Sequence, residues 1–274
     1  MDVSALCARF PHFPYNHIRR CRVTLTPTVT AMNPGTLALL LLLTPLSRAQ
    51  ETDDFEGGDN DGGWSFNVAV PDILETTGGN PGGFLHNTSV SSFAPIPTTD
   101  DGTASGFLGD LRALGITALS VDAITNSASF GAGGREFSLL LRDTKGTLAV
   151  TDDDYAYYVG SEVPQPGAGW KSFQFPVPSL STDPVPPGWS GGWAGDLENF
   201  RPGIDWNDVI TSVDRVELWW LNPSFFAIFQ DWDVGIDNVS LVSTPAPVPA
   251  LHLVPLVVLA LVVSTTGALL RRRT

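Results

Sequence analysis

The chain has 274 residues, with 15 Lys and Arg against 29 Asp and Glu. Its net charge of −14 at pH 7 excludes a nucleic-acid binder, which needs a basic face. Its two cysteines, Cys7 and Cys21, exclude a thiolate metal cluster and a multi-disulfide scaffold.

Residues 1–49 read as a signal region. Met32 is the expected true start, followed by a short apolar run from Leu37 to Leu43. Ser47-Arg48-Ala49 places small residues at the −3 and −1 positions of a cleavage site, so cleavage is expected after Ala49. Both cysteines lie before that point, and the exported chain has none.

Residues 50–243 are the expected folded domain, long enough for one core. From 50 to 249 there are 28 Asp and Glu against 7 Lys and Arg, a net charge near −21. Such acidity favours solubility and suits a hard cation such as Ca²⁺. Short alternating runs bounded by Gly, Pro, Asn and Asp predict an all-β sandwich. The strand candidates are 64–70, 116–123, 136–143, 147–151, 170–177, 215–221 and 234–242. Asp205 as N-cap with Asp208 at the third helical position predicts one short helix through Val209 and Ile210. Gly78-Gly-Asn-Pro-Gly-Gly and the Pro-rich and Gly-rich stretch from Pro184 to Trp193 read as loops. Asp152-Asp153-Asp154 lacks EF-hand spacing and reads as a solvated hairpin turn.

All eight tryptophans fall in this region. Trp64 and Trp170 sit in strand patterns and are expected in the core. Trp219 and Trp220 are adjacent on one strand, so they must face opposite sides of it. Trp189 and Trp193 flank Ser-Gly-Gly in a predicted loop. Exposed there, they could stack on sugar rings, with nearby acids and amides binding hydroxyls.

A series of short motifs resembles, in order, the laminin B (laminin type IV) domain of bacterial exported proteins. It runs from Asp54-Phe-Glu-Gly-Gly through Gly62-Gly-Trp-Ser, Gly78-Gly-Asn-Pro-Gly-Gly-Phe-Leu and Phe107-Leu-Gly-Asp. It continues through Trp170-Lys-Ser-Phe and Val209-Ile-Thr-Ser-Val-Asp-Arg-Val-Glu-Leu to Gly235-Ile-Asp-Asn-Val-Ser-Leu. The resemblance implies a jelly-roll-type β-sandwich, like many carbohydrate-binding modules, and no enzyme activity. It also implies that the first and last strands lie side by side and share a structural Ca²⁺. Glu56 and Asp237 are the candidate ligands, with Asp54 a weaker one.

Catalytic motifs are lacking. Beyond Ala49 the only histidines are His86 and His252, and no serine sits in a nucleophile elbow. The expected function is a non-catalytic exported protein of the envelope or matrix that binds polysaccharide. The alternative is a secreted hydrolase acting on glycans, since paired carboxylates are plentiful.

Residues 244–250 form a Pro-rich linker, and Leu251 to Leu270 is an uncharged apolar run. As a helix its twenty residues would rise about 30 Å, enough to cross a bilayer. Residues 271–274 follow as a basic stop, and Arg271, Arg272 and Arg273 are expected to stay cytoplasmic. The whole is therefore expected to be an all-β ectodomain plus one C-terminal transmembrane helix, with the ectodomain outside. Pro245, Pro247 and Pro249 before that helix and the Arg cluster after it resemble the PEP-CTERM class of sorting tails. That resemblance implies an exosortase-type processing enzyme as a partner. Ala246 and Val248 stand where the motif usually carries an acid.

Overall fold

The computed structural model describes residues 51–100, 102, 105–225 and 227–243. All belong to one compact unit, Ser47–Thr274. The fold is an all-β sandwich of two antiparallel sheets. Its strands are β1 (Thr52–Asp53), β2 (Ile73–Gly79), β3 (Gly82–Ser92), β4 (Thr98–Asp100), β5 (Ile116–Ala128) and β6 (Glu136–Asp143). They continue as β7 (Asp154–Glu162), β8 (Lys171–Pro176), β9 (Trp189–Trp193), β10 (Arg215–Trp219) and β11 (Gln230–Ser243). Two short helices, α1 (Leu111–Leu114) and α2 (Trp206–Ile210), and a 3₁₀ turn at Glu56–Gly58 complete the described elements.

The first sheet runs β2-β3-β11-β5-β8, with β1 also paired to β11. The second runs β4-β10-β6-β7-β9. The period-2 pattern of β6 shows how the layers form. Phe137, Leu139 and Leu141 point into the core, while Ser138, Leu140 and Arg142 point away. One continuous core joins these side chains to Leu119, Val121, Phe173, Phe175, Val216 and Leu218 from other strands and to Trp220 just after β10. Phe137 lies 4.5 Å from Phe173 and 4.6 Å from Trp220, both in edge-on geometry that aromatic rings favour.

β11 carries a bulge that keeps its pattern in register with the core. Trp232, Val234 and Ile236 point inward, then Asp237 and Asn238 intervene, and Val239 and Leu241 point inward again. Asn238 takes up the extra residue with a left-handed φ of 51°, a conformation that asparagine tolerates better than most residues.

The capping box predicted at Asp205 and Asp208 is present at α2. Strands stand at 136–143 and across most of the other long runs, but two candidates fail. Residues 64–70 make only a single bridge, Ser65 with Thr98. Residues 147–151 are turn, and the strand begins at Asp154 instead. Trp64 is in the core, whereas Trp170 is half-buried at the edge of the first sheet, against Phe84.

The acidic triplet is not a solvated turn. Asp152 is exposed, but Asp153 and Asp154 are buried. Asp154 pairs with Arg201 Nε at 3.0 Å and with Lys145 at 3.4 Å. Arg201 lies 47 residues away, so local sequence could not reveal it.

Asp53 is the buried acid at the start of the fold. It accepts the Gly62 N–H at 2.8 Å and the Phe55 N–H at 3.4 Å. Burial outweighs these bonds and pushes its pKa up to about 6. The folded state therefore holds this proton longer than the unfolded chain. Asp53 favours folding most below pH 3.8, and that advantage is lost as pH rises through 6. Asp53→Asn is expected to become more stable relative to wild type between pH 4 and pH 7.5, by about 2–3 kcal/mol. Urea midpoints at both pH values in chelator check this, and a constant difference between the two proteins would refute it.

Candidate functional site

Two regions gather chemistry-bearing side chains. The first is the outer face of the β4-β10-β6-β7-β9 sheet. Strand register sets its side chains in rows. One row runs Thr98, Glu217, Leu140, Tyr157, Ser190; the next runs Asp100, Arg215, Arg142, Tyr155, Gly192. A third holds Trp219, Ser138 and Val159. Leu140, Tyr155 and Tyr157 form a small buried apolar cluster, with Trp219 and Val159 packed against it.

Polar groups are threaded through this apolar floor. Arg142 Nε is 2.9 Å from Glu217, and its guanidinium lies 4.8 Å from the Tyr155 ring centre. Burial pushes the Tyr155 hydroxyl up to about 12, so it remains a protonated donor at neutral pH. Trp219 donates Nε1–H to Glu217 at 2.8 Å. Arg215 reaches Asp100 only at 3.8 Å. Beside them a groove of about 440 Å³ opens along the β4 edge, lined by Thr98, Asp100, Arg215 and Glu217 and walled by Asn67 and Ser92. That volume falls within the usual range for small-ligand sites.

Several polar atoms on this face are buried without a hydrogen-bond partner: Ser138 Oγ, Arg142 Nε and Arg215 Nε. Arg142 Nε is close to Glu217 but out of line for a hydrogen bond. An unmade buried bond costs about 1–3 kcal/mol, so such atoms call for a water or another partner, as do Trp64 Nε1, Ser179 Oγ and Trp206 Nε1 elsewhere in the fold.

The aromatic segment predicted as a loop folds differently. Residues 189–193 are strand β9 rather than loop. Trp189 is in the core, 4.7 Å from Trp206, and donates Nε1–H to the Pro176 carbonyl. Trp193 points to the same side of β9, with Arg201 over its ring at 5.1 Å. The glycines that suggested a flexible loop allow close packing instead. A Cβ at Gly191 would strike Phe200, and one at Gly192 would strike Tyr155 on the outer face. On this outer face the accessible aromatic surface is that of the half-buried Trp219, packed against the two buried tyrosines. The missed signal was the Tyr155-Ala-Tyr157 alternation, hidden behind the acidic triplet.

The second region lies where the chain's first and last strands meet. β1 pairs with β11 through Thr52–Ser240 and Asp53–Val239, while β3 pairs with β11 only as far as Ile236. Asp237 and Asn238 fall in the gap between these pairings. The Glu56–Gly58 turn and the Gly79–Gly83 turn close over the gap. Asp237 is fully buried and accepts N–H bonds from Asn80 at 2.5 Å and Asn238 at 2.7 Å. Asp122 accepts from the side-chain amides of Asn80 and Asn238 at 3.1 and 2.9 Å. Glu56 accepts from Gly83 N–H at 3.3 Å. A Cβ at Gly82 would strike Glu56, so this turn needs glycine there.

Burial pushes the Asp237 pKa up to about 6, and the charges of Asp122 and Glu56 add to the rise. Among the described residues, none of the three acids forms an ion pair with Lys, Arg or His. Glu56 and Asp122 lie close enough to Asp237 for their charges to act on it. Asp54 is exposed and turned back to accept Glu56 N–H at 3.1 Å. The donor set is all oxygen and carries uncompensated negative charge, which fits a hard cation. Among the described residues no three Asp, Glu, His or Cys side chains form a ready metal group. A cation here would need carbonyl oxygens for the rest of its shell.

No family model and no curated protein matches this chain. Solved structures with a partial likeness include an exo-beta-agarase at TM-score 0.39 and 14% identity, and a second agarase at 0.39 and 15%. Each likeness covers 72% of this chain and 25% of the agarase, so the chain spans about a quarter of those proteins. A xylan-binding domain from CBM 22 matches at TM-score 0.34 and 12% identity, over 74% of this chain and 97% of that domain.

The tail residues Pro245, Pro247, Pro249 and Arg271 to Arg273, the apolar run 251–270 and the cleavage position Ala49 lie outside the described residues. Among the described residues no helix is long and apolar enough to cross a membrane.

Proposed function

We propose that this chain is an exported, non-catalytic protein of the laminin B-like jelly-roll type. It holds an uncharged polysaccharide on the outer face of the β4-β10-β6-β7-β9 sheet. The supporting observation is the groove lined by Arg215, Glu217, Thr98 and Asp100 next to the half-buried Trp219 ring, with Arg215 Nε left without a hydrogen bond. A glycan offers hydroxyls to that groove and C–H faces to the indole. Polyanionic glycans are disfavoured. Arg142 and Arg215 are outnumbered on the face by Asp100, Glu217 and nearby Asp153, and the domain around them is strongly acidic.

In this reading the Asp237 cluster holds a structural Ca²⁺ that ties the first strand to the last. Asp237, Asp122 and Glu56 would supply carboxylate oxygens. The tail anchors the domain at the cell surface through 251–270, with the Pro motif available to a processing enzyme.

All eleven described strands and the described core lie within residues 52–243, so a 50–249 fragment contains the described sandwich. Applied to a polysaccharide array, it is expected to be retained on a neutral glycan without releasing sugar. Release of product would make the protein a glycan hydrolase. Absence of retention on every neutral glycan would overturn the proposal.

A further inference from the structure

One end of the sandwich carries a cluster of exposed phenylalanines that the glycan face does not use. Phe93 follows β3, Phe130 follows β5, and Phe225, Ile228 and Phe229 precede β11. The five are 57%, 71%, 53%, 50% and 56% exposed. Register places them together. Ser92 pairs with Gln230, and Ala128 with Trp232, so Phe93 and Phe130 flank the start of β11 on its two sides. Phe93 and Phe229 meet edge to face at 5.5 Å.

The tip is held in shape. Arg135 binds the Phe93 carbonyl at 2.6 Å and stacks on Trp232. Gln230 accepts from Phe130 N–H at 2.8 Å and donates to the Gly131 carbonyl at 3.2 Å. Phe225 N–H is satisfied by Asn222. Internal hydrogen bonds leave the tip ready for burial at little polar cost.

We infer that this tip docks against the tip of a second copy of the chain, a proposal that rests on the anchored-tail reading. The choice of occupant follows from where the chain leaves the fold. The tip sits at the start of β11, and the tail departs from its end at Ser243. Fourteen strand residues separate the two by roughly 43 Å. Residues 244–250 can span about 25 Å at full stretch. When the domain stands upright on its anchor, the tip is the end farthest from its own bilayer and faces copies on an opposing surface.

Area sets the strength. The five side chains expose on the order of 500 Å² of apolar surface. A tip-to-tip pair would bury about 1,000 Å², at the low end for specific association. Single pairs are weak, and many pairs between two surfaces hold firmly.

The test uses the full chain in phosphatidylcholine vesicles with the folded domain outward. Flotation reports insertion and so tests the anchor separately. Protein-bearing vesicles are expected to cluster with one another and not with bare vesicles, more strongly as salt screens the acidic domains. The triple variant Phe93→Ser, Phe130→Ser, Phe229→Ser is expected to reduce clustering at least tenfold. Clustering with bare vesicles would make the bilayer the occupant and overturn the inference. So would inserted protein that fails to cluster, or clustering unchanged in the variant. Sedimentation equilibrium of the full chain in detergent, up to about 1 mM, gives an anchor-independent reading. Wild type is expected to dimerise weakly there and the triple variant to remain monomeric; equal behaviour of the two would refute tip docking.

Discussion

Trp219→Ala and Arg215→Ala are each expected to weaken retention on the neutral glycan about tenfold, and together about a hundredfold. Trp219 is half-buried on the outer face and offers its ring beside the groove. Losing one aromatic contact costs about 1–1.5 kcal/mol, close to a factor of ten. Arg215 carries a buried Nε with no partner and lines the groove directly. A hydrogen bond from a charged donor is worth about 1.5–3 kcal/mol, so its loss should be at least as large. Buried Glu217 loses the Trp219 N–H and buried Asp153 loses the Arg215 charge, but both keep Arg142, at 2.9 and 3.4 Å.

Trp193→Ala is the contrasting variant. Its ring faces Arg201 on the other side of β9, so retention should not change. Trp189→Ala carries no information about binding, because deleting a core tryptophan costs about 3–5 kcal/mol of stability. Dissociation constants for the 50–249 fragment on the glycan selected from the array decide the matter. A loss confined to Trp193→Ala would move the site back to the 189–193 segment and refute the outer-face assignment.

The contrast between those two tryptophan pairs shows what the sequence could reveal. Trp219 and Trp220 were legible because adjacent strand residues must face opposite ways, and Trp220 is indeed in the core. Local rules also exposed β6, through its alternation, and α2, through its capping box. The Trp189-Ser-Gly-Gly-Trp193 segment was misleading because glycine has two uses. Composition suggests a loop, whereas Gly191 and Gly192 make room for Phe200 and Tyr155, which come from elsewhere in the chain. The hairpin at Gly78–Gly83 was obscured in the same way. A Cβ at Gly79 would strike the Gly83 carbonyl, and one at Gly83 would crowd Phe55, so close approach rather than flexibility explains those residues. Asp153 and Asp154 read as solvated because their partners come from outside the triplet: Arg142 across the β6–β7 hairpin and Arg201 from 47 residues away. Asp122 was missed as a neighbour of Asp237 because only strand register brings them together.

That register is the basis of the second large effect. At 10 mM Ca²⁺ the melting temperature is expected to rise by about 3–11 °C over the chelated protein. Extracellular Ca²⁺ modules bind at about 0.1–1 mM, which yields roughly 1.4–2.7 kcal/mol at that concentration. A domain of this size shifts by about 2–4 °C per kcal/mol. The physical reason for a response is the cost already present in the metal-free fold. Holding Asp237 ionised at neutral pH, with its pKa raised from 3.8 to about 6, costs about 3 kcal/mol. A bound dication would offset that cost and the repulsion from Asp122 and Glu56. Asp237→Asn removes the buried charge but keeps the shape, at the expense of one N–H bond from Asn80 or Asn238. In chelator at pH 7.5 it should therefore be at least as stable as wild type, and it should not respond to Ca²⁺. Only the wild type thus gains stability as the ion is added. An unresponsive wild type, or a variant that responds equally, would remove the cation from this site and leave Asp237 as a buried, self-contained acid.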